Sequence, residues 1–242
     1  MVLGKISTDS DGSTPSDADS RGYCIPGDTA SCNSPVAEWK FDEGTGNNIY
    51  DVSGNGYSGT WNGSSNHWIT GKFGKAGNFL TANSDYVNLG TTASLTPTSL
   101  VTAEVWVYLT RFPTQASERM GILGRNYRHP WQIGLWESGQ IYWGYTMSNG
   151  TDFDYVAIGS PLTLNRWNFI AITHNVSTGQ ITAQINGVKS SSTATYTGTL
   201  ETPSSTATIG SSGTGAQYFE GKIDQARIFN YVRTPAQVAY DY

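Results

Sequence analysis

Between positions 125 and 145 the sequence gathers side chains suited to holding a sugar. Tyr127, Trp131, Trp136, Trp143 and Tyr145 fall within nineteen residues, interleaved with Arg125, Arg128 and His129. A sugar ring has apolar C–H faces and a polar rim, so its binding sites pair flat aromatic rings with Arg, Asn, Asp or Glu hydrogen-bonding groups. Tyr127, Trp131, Trp136, Trp143 and Arg125 are the candidate ligand-contacting residues. If the stretch is a strand, Trp131, Ile133 and Leu135 share one face and Gln132, Gly134 and Trp136 the other. In a packed sandwich one of those faces is core, so about half of the rings are structural, and the sequence leaves open which half. Trp61, His67 and Trp68, in a stretch rich in Asn, Gly and Ser, form a smaller second candidate.

The second kind of chemistry is carboxylate. The turn Asp51-Val52-Ser53-Gly54-Asn55-Gly56 can supply carboxylate, amide and backbone oxygens to a hard cation such as calcium, which takes roughly six to eight oxygens. Asp224 raises a different question. In Lys222-Ile223-Asp224-Gln225-Ala226-Arg227-Ile228-Phe229, strict alternation puts Ile223, Gln225, Arg227 and Phe229 on one side and Asp224, Ala226 and Ile228 on the other. A carboxylate among apolar side chains is costly unless it is paired, hydrogen-bonded or bound to a metal. Glycoside hydrolysis would need two carboxylates about 5–9.5 Å apart. Asp152 and Asp154 share a face if extended, yet they follow Asn149-Gly150 in a turn-rich loop, where solvated acids are the ordinary reading. His67, His129 and His174 are too scattered for a zinc motif, and no Gly-x-Ser-x-Gly occurs.

These groups must be positioned by short strands. With 14% charged residues, 28 Gly and 12% aromatics in 242 residues, the composition suits one large β domain with many tight turns. Thirteen strand-like runs from Val36 to Phe229, separated by Gly, Asn, Ser and Asp turns and lacking a long helical period, imply two packed antiparallel sheets. Asn186-Gly187 and Ser138-Gly139 mark hairpins, and Thr234-Pro235 marks the start of a short closing helix. Residues 1–35 read as a flexible N-terminal arm, since Ser7 to Ser20 hold no apolar side chain larger than Ala18. Cys24 and Cys32 are expected to form a bridge, worth roughly 2–3 kcal/mol against the open loop, with two free thiols as the alternative. Such a clip points to an oxidising compartment. The net charge is −5 and no basic stripe exists, which argues against nucleic acid. No run of 18 apolar residues argues for membrane insertion, and Met1 to Ile6 is too short for a signal peptide, so an export signal or anchor is expected to lie outside this sequence.

The order of motifs carries a resemblance. Val36-Ala37-Glu38-Trp39-Lys40-Phe41-Asp42-Glu43-Gly44, the Asp51 turn, Thr102-Ala103-Glu104-Val105-Trp106-Val107, Arg166-Trp167-Asn168-Phe169-Ile170-Ala171-Ile172-Thr173 before Gln184-Ile185-Asn186-Gly187, and Gly221 to Asn230 with its short helix resemble the laminin-G-like branch of the concanavalin-A-like jelly rolls. The resemblance covers about residues 36–240 and implies that residues 36–242 form an all-β, two-sheet antiparallel jelly-roll sandwich. In that fold the first and last strands are close, so the resemblance implies a structural calcium held by Asp51, Asp224, Asn55 and Asp42. The alternative is that Asp51 and Asn55 stabilise their own turn and Asp224 pairs with Lys or backbone amides. Glycosidases of this superfamily carry Glu-x-Asp-x-x-Glu or Glu-x-Asp-x-Glu on one strand, and neither string is present. The expectation is a non-catalytic, secreted or cell-surface module that binds a polysaccharide or glycosylated surface. A polysaccharide hydrolase or lyase on the same sandwich, and a structural spacer, are the alternatives.

Overall fold

The computed structural model describes residues 23–242 apart from 27–28, 64–66, 116–117, 127–128, 194–196 and 214–216. Alternating apolar runs become strands as expected. In chain order they are β1 (Ala37–Trp39), β2 (Asn48–Ile49), β3 (Gly59–Asn62), β4 (Trp68–Thr70), β5 (Lys75–Phe79), β6 (Tyr86–Asn88), β7 (Leu100–Leu109) and β8 (Met120–Arg125). There follow β9 (Trp131–Leu135), β10 (Ile141–Thr146), β11 (Asp152–Ile158), β12 (Trp167–Asn175), β13 (Gln180–Ile185), β14 (Val188–Thr193), β15 (Ala207–Ile209), β16 (Gly221–Phe229) and the helix α1 (Pro235–Asp241). All pairings are antiparallel. One sheet runs β14-β13-β12-β7-β16-β5-β4, with β1 also on β16, and the other runs β11-β10-β9-β8-β15-β6-β3-β2. The molecule is the expected jelly-roll sandwich with one short C-terminal helix.

The inward faces close a single core that includes Trp39, Phe41, Phe79, Trp131, Trp143, Ile170 and Phe219. Asn186 and Gly187 take φ of 51° and 80°, the conformation a two-residue hairpin requires, and join β13 to β14. Thr234 caps α1 as its sequence suggests: its hydroxyl accepts from the Gln237 N–H, and the Gln237 side chain accepts from the Thr234 N–H.

A bulge in β16 decides which way its side chains point. Asp224 pairs with Trp106 and Arg227 with Glu104, so two residues of β16, Gln225 and Ala226, stand opposite the single Val105 of β7, and Gln225 adopts a φ of 49°. Parity inverts across that point. Ile223, Ala226 and Ile228 all join the core, while Asp224 and Arg227 face outward, so Asp224 does not share a face with Ala226 and Ile228 as strict alternation implied.

The outer face of the first sheet is partly covered by α1 and by the segment before residue 36. Cys24 and Cys32 are joined in a disulfide. Gln237 donates to the Ser31 carbonyl at 2.9 Å, the Tyr231 hydroxyl donates to Asn33 O at 2.9 Å, and the Tyr23 hydroxyl donates to Glu38. Under this cover Arg227 bonds Glu38 at 2.8 Å, Arg233 pairs with Asp241, and Arg233 Nε lies 3.4 Å from Glu104. The part of residues 1–35 described here is thus packed against the domain, and the expected flexible run, Ser7 to Ser20, lies outside the described residues.

Candidate functional site

Asp51 itself forms an antiparallel bridge with Trp39, and its carboxylate closes the turn that follows. Its Oδ1 accepts from the N–H of Glu38 at 3.0 Å and of Ser53 at 2.9 Å, and its Oδ2 from the Tyr57 N–H and the Ser53 hydroxyl, both at 2.9 Å. Asn55 Nδ2 donates to Val36 O at 3.0 Å. Asp42 and Asp224 serve another turn, between β4 and β5. Asp224 Oδ2 accepts from the N–H of Lys72 at 2.9 Å and of Phe73 at 3.0 Å, and Asp42 Oδ1 from that of Lys75 at 2.8 Å. Glycine is required there, because a Cβ at Gly74 would collide with Asp42 Oδ1. Asp224 Oδ1 is buried without a hydrogen-bond partner among the described residues. Burial pushes this carboxyl up to about 7, against the two N–H bonds and with a further push from Asp42.

The expected calcium ligands Asp51, Asp224, Asn55 and Asp42 are therefore split between two turns, each held by protein donors. Both Asp51 oxygens are used by four of them, and among the described residues no group of three or more His, Cys, Asp or Glu side chains is placed to hold an ion. This set does not fit one calcium ion.

The aromatic cluster divides by strand parity. Trp131 and Trp143 face inward, fully buried, and stack on each other with centroids 5.0 Å apart. Their indole N–H groups are used internally, by Pro97 O at 3.0 Å and His174 Nδ1 at 3.2 Å. Arg125 is buried as well: Nε donates to Thr96 Oγ1 and a terminal nitrogen to Thr92 O, both at 2.6 Å, and a third bond goes to Ser205 O. Trp131, Trp143 and Arg125 are thus removed from the ligand-contacting set, since no ligand reaches an internal ring or a guanidinium spent on the chain's own carbonyls. Tyr127 lies outside the described residues. In the smaller candidate Trp61 and His67 are buried and stack face-on at 4.2 Å, while Trp68 is half-buried against the core with its Nε1 donating to Gly46 O at 3.0 Å.

Trp136 remains. It directly follows β9 on the outward face, half-buried, edge-on to Tyr142 at 5.7 Å, with the Arg119 guanidinium 4.3 Å over its ring. Arg119 lies outside the aromatic window in sequence. The pairing of Met120 with Leu135 brings it beside Trp136, and only the strand register could have revealed that. Next to this pair runs a polar network. Gln132 Oε1 accepts from the Tyr142 hydroxyl at 2.9 Å and the Ser212 hydroxyl at 2.8 Å, and Thr208 donates to Ser211 O at 2.8 Å. A Cβ at Gly134 would collide with the Tyr142 ring and hydroxyl, and one at Gly121 with the backbone of Ser211 and Ser212, so glycine lets both lie flat on the sheet. The outward positions of β9, β10 and β15 are Gln132, Gly134, Tyr142, Gly144, Thr146 and Thr208, none of them an acid. Thr146 bonds Asp152 at the rim, at 2.8 Å.

Residues 81–239 match the model of the Concanavalin A-like lectin/glucanases superfamily of laminin-G type, and the chain belongs to that family. No curated protein sequence matches it. Among solved structures it is similar to domain 4 of AbnA, an extracellular GH43 arabinanase from Geobacillus stearothermophilus, in complex with arabinotriose. That match has a TM-score of 0.62 and 22% identity and covers 86% of this chain and 97% of that one. It also resembles the binding domain of Paraclostridial Mosquitocidal Protein 1 (TM-score 0.67, 17% identity, 86% and 51% covered). A third is the ligand-binding domain of Botulinum neurotoxin serotype D in complex with N-acetylneuraminic acid (TM-score 0.60, 16% identity, 86% and 50% covered). The chain spans about half the length of the two toxin domains. At these identities the likeness is one of fold.

Proposed function

We propose that this chain is a non-catalytic glycan-binding module of a secreted or surface-held protein, and that Trp136 with Arg119 forms its recognition pair. The observation that carries the reading is a half-buried outward ring bearing a guanidinium at 4.3 Å, held in place beside a buried network of hydroxyl and amide groups. A ring and a cation suit a sugar's apolar face and polar rim. Two similar folds were solved with sugars bound, arabinotriose in one and N-acetylneuraminic acid in the other. The Cys24–Cys32 disulfide supports an extracellular setting. Among the described residues no helix is long and apolar enough to cross a membrane.

The test is a glycan array with the wild type and Trp136→Ala, joined to a reducing-end release assay on a polysaccharide panel. Retention of a glycan that falls at least about tenfold in the variant, at little changed melting temperature, supports the reading. Release of reducing ends by the wild type would sink it in favour of a hydrolase.

A further inference from the structure

The outer face of the first sheet holds a second group of outward rings, on the side that α1 leaves open. Lys222, Tyr108 and Trp167 stand in one row across β16, β7 and β12, each paired in register with the next. Lys222 Nζ lies 4.9 Å over the Tyr108 ring, and Tyr108 meets Trp167 edge-on at 5.7 Å. With strands about 4.8 Å apart the row is roughly 10 Å long, the reach of a disaccharide. At its Trp167 end opens a pocket of about 260 Å³ lined by Thr163, Arg166, Trp167, Asn168, Asn186 and Tyr242. That volume lies just below the usual range for drug-sized ligands, about 300–1,000 Å³, and suits one sugar ring.

The pocket is stiff where it must be and unsatisfied where a ligand would bind. Asn168 Nδ2 donates to the carbonyls of Thr163 and Arg166, both at 2.9 Å, and its Oδ1 accepts from the Thr163 N–H and Asn186 Nδ2, both at 3.1 Å. These bonds pin the backbone that presents Arg166. The guanidinium itself is exposed and makes no hydrogen bond or ion pair with any described residue. The indole N–H of Trp167 likewise has no acceptor among the described residues, whereas those of Trp39, Trp68, Trp131 and Trp143 are all bonded. Among the described residues no Asp or Glu side chain lines the pocket.

We infer that this pocket and row form a second glycan site, distinct from Trp136, that takes a carboxylate-bearing sugar such as a uronate. Arg166 meets the carboxylate, where a charge-assisted, two-point bond is available to a guanidinium. Trp167 and Tyr242 border the ring, and Lys222 over Tyr108 receives the next acidic residue of the chain.

The test is calorimetry on the full chain with trigalacturonate and with its fully methyl-esterified form, which keeps the rings and removes the charge. The wild type is expected to bind the acid at least about tenfold more tightly than the ester, and Arg166→Ala to lose that preference at unchanged melting temperature. Lys222→Ala should weaken binding of the trimer while leaving binding of the single galacturonate ring unchanged. Equal binding of acid and ester, or full binding by Arg166→Ala, overturns the inference. So does loss of trigalacturonate binding in Trp136→Ala with Arg166→Ala unaffected, which would instead support the Trp136 reading alone. Absence of binding to trigalacturonate, glucuronate and an N-acetylneuraminate oligosaccharide by correctly folded protein also overturns it.

Discussion

Replacing Trp131 by alanine should damage the fold, while the same change at Trp136 should spare it. Trp131 is fully buried, stacks on Trp143 at 5.0 Å and gives its N–H to Pro97 O at 3.0 Å. Truncating a buried aromatic costs about 3–5 kcal/mol, and an orphaned carbonyl adds to the loss, so about 4 kcal/mol is a conservative figure. For a domain of this size each kcal/mol moves the melting temperature by about 2–4 °C, which gives a fall of about 8–16 °C. Trp136 loses an edge contact with Tyr142 and the Arg119 cation, interactions worth about 0.5–1.5 kcal/mol each, and its change should stay within a few degrees. Differential scanning fluorimetry of both variants, with glycan retention measured on the same samples, reads both effects. A Trp131→Ala protein that melts like the wild type yet has lost its glycan would refute the assignment of that ring to the core.

Glu104 is held at about 8 by burial and by the facing Asp241 carboxylate, against the pull of Arg233 and Arg227. Between its ordinary 4.5 and 8 the folded state keeps a proton that the unfolded chain has released, so this contribution is complete below about 4.5 and is lost as pH rises through 8. Glu104→Gln cannot ionise and should flatten that fall, by a few kcal/mol at most, and parallel melts of wild type and variant from pH 5 to 9 that remain superimposable would contradict it. His174 is depressed to about 4 by burial and works the other way, costing stability as pH drops from 6.5 toward 4. EDTA and then excess calcium should each move the melting temperature by less than about a degree, because Asp51 and Asp224 serve separate turns. A shift of several degrees would show an ion bound after all, with the unpartnered Asp224 Oδ1 as its first suspect, and Asp224→Asn would then abolish the shift. Gly134→Ala should displace the Tyr142 ring and cost about 1–3 kcal/mol, measurable by urea unfolding, and an unchanged midpoint would argue against the flat packing of that ring.

The strands that the sequence conceals are β2, β4 and β14, and all three lie at sheet edges. An edge strand packs against one neighbour, so it lacks the strong apolar alternation that marks a central strand. Val188-Lys189-Ser190-Ser191-Ser192-Thr193 is the clearest case, since after Val188 nothing in it is apolar. Central strands such as β7 and β12 were legible from Thr102 and Asn168 to their C-terminal ends, because their interiors are buried almost throughout, and only their first residues, Leu100, Val101 and Trp167, were missed. The inversion at Gln225 was hidden for another reason. A bulge is a backbone event stabilised by pairing with β7, and a non-glycine residue at φ 49° leaves no mark in composition.

That inversion also explains why carboxylates were harder to place than rings. Asp224 appeared to share the apolar side only because parity was counted straight through Gln225. For the tryptophans parity was counted correctly but was insufficient alone. Of the eight, Trp39, Trp61, Trp68, Trp131 and Trp143 point to the core or pack against it. Trp106 points outward from the middle of β7, but Tyr242 stacks on it at 5.6 Å and Lys72 lies 4.5 Å above it, so it is covered. Only Trp136, just past the end of β9, and Trp167, at the start of β12, combine outward parity with a strand end, where the neighbouring cover runs out. Each has an arginine beside it, Arg119 over the ring in one case and Arg166 next in the chain in the other. Outward parity at a strand end is therefore the condition that turns a structural ring of this sandwich into one able to meet a ligand, and it is met once on each sheet.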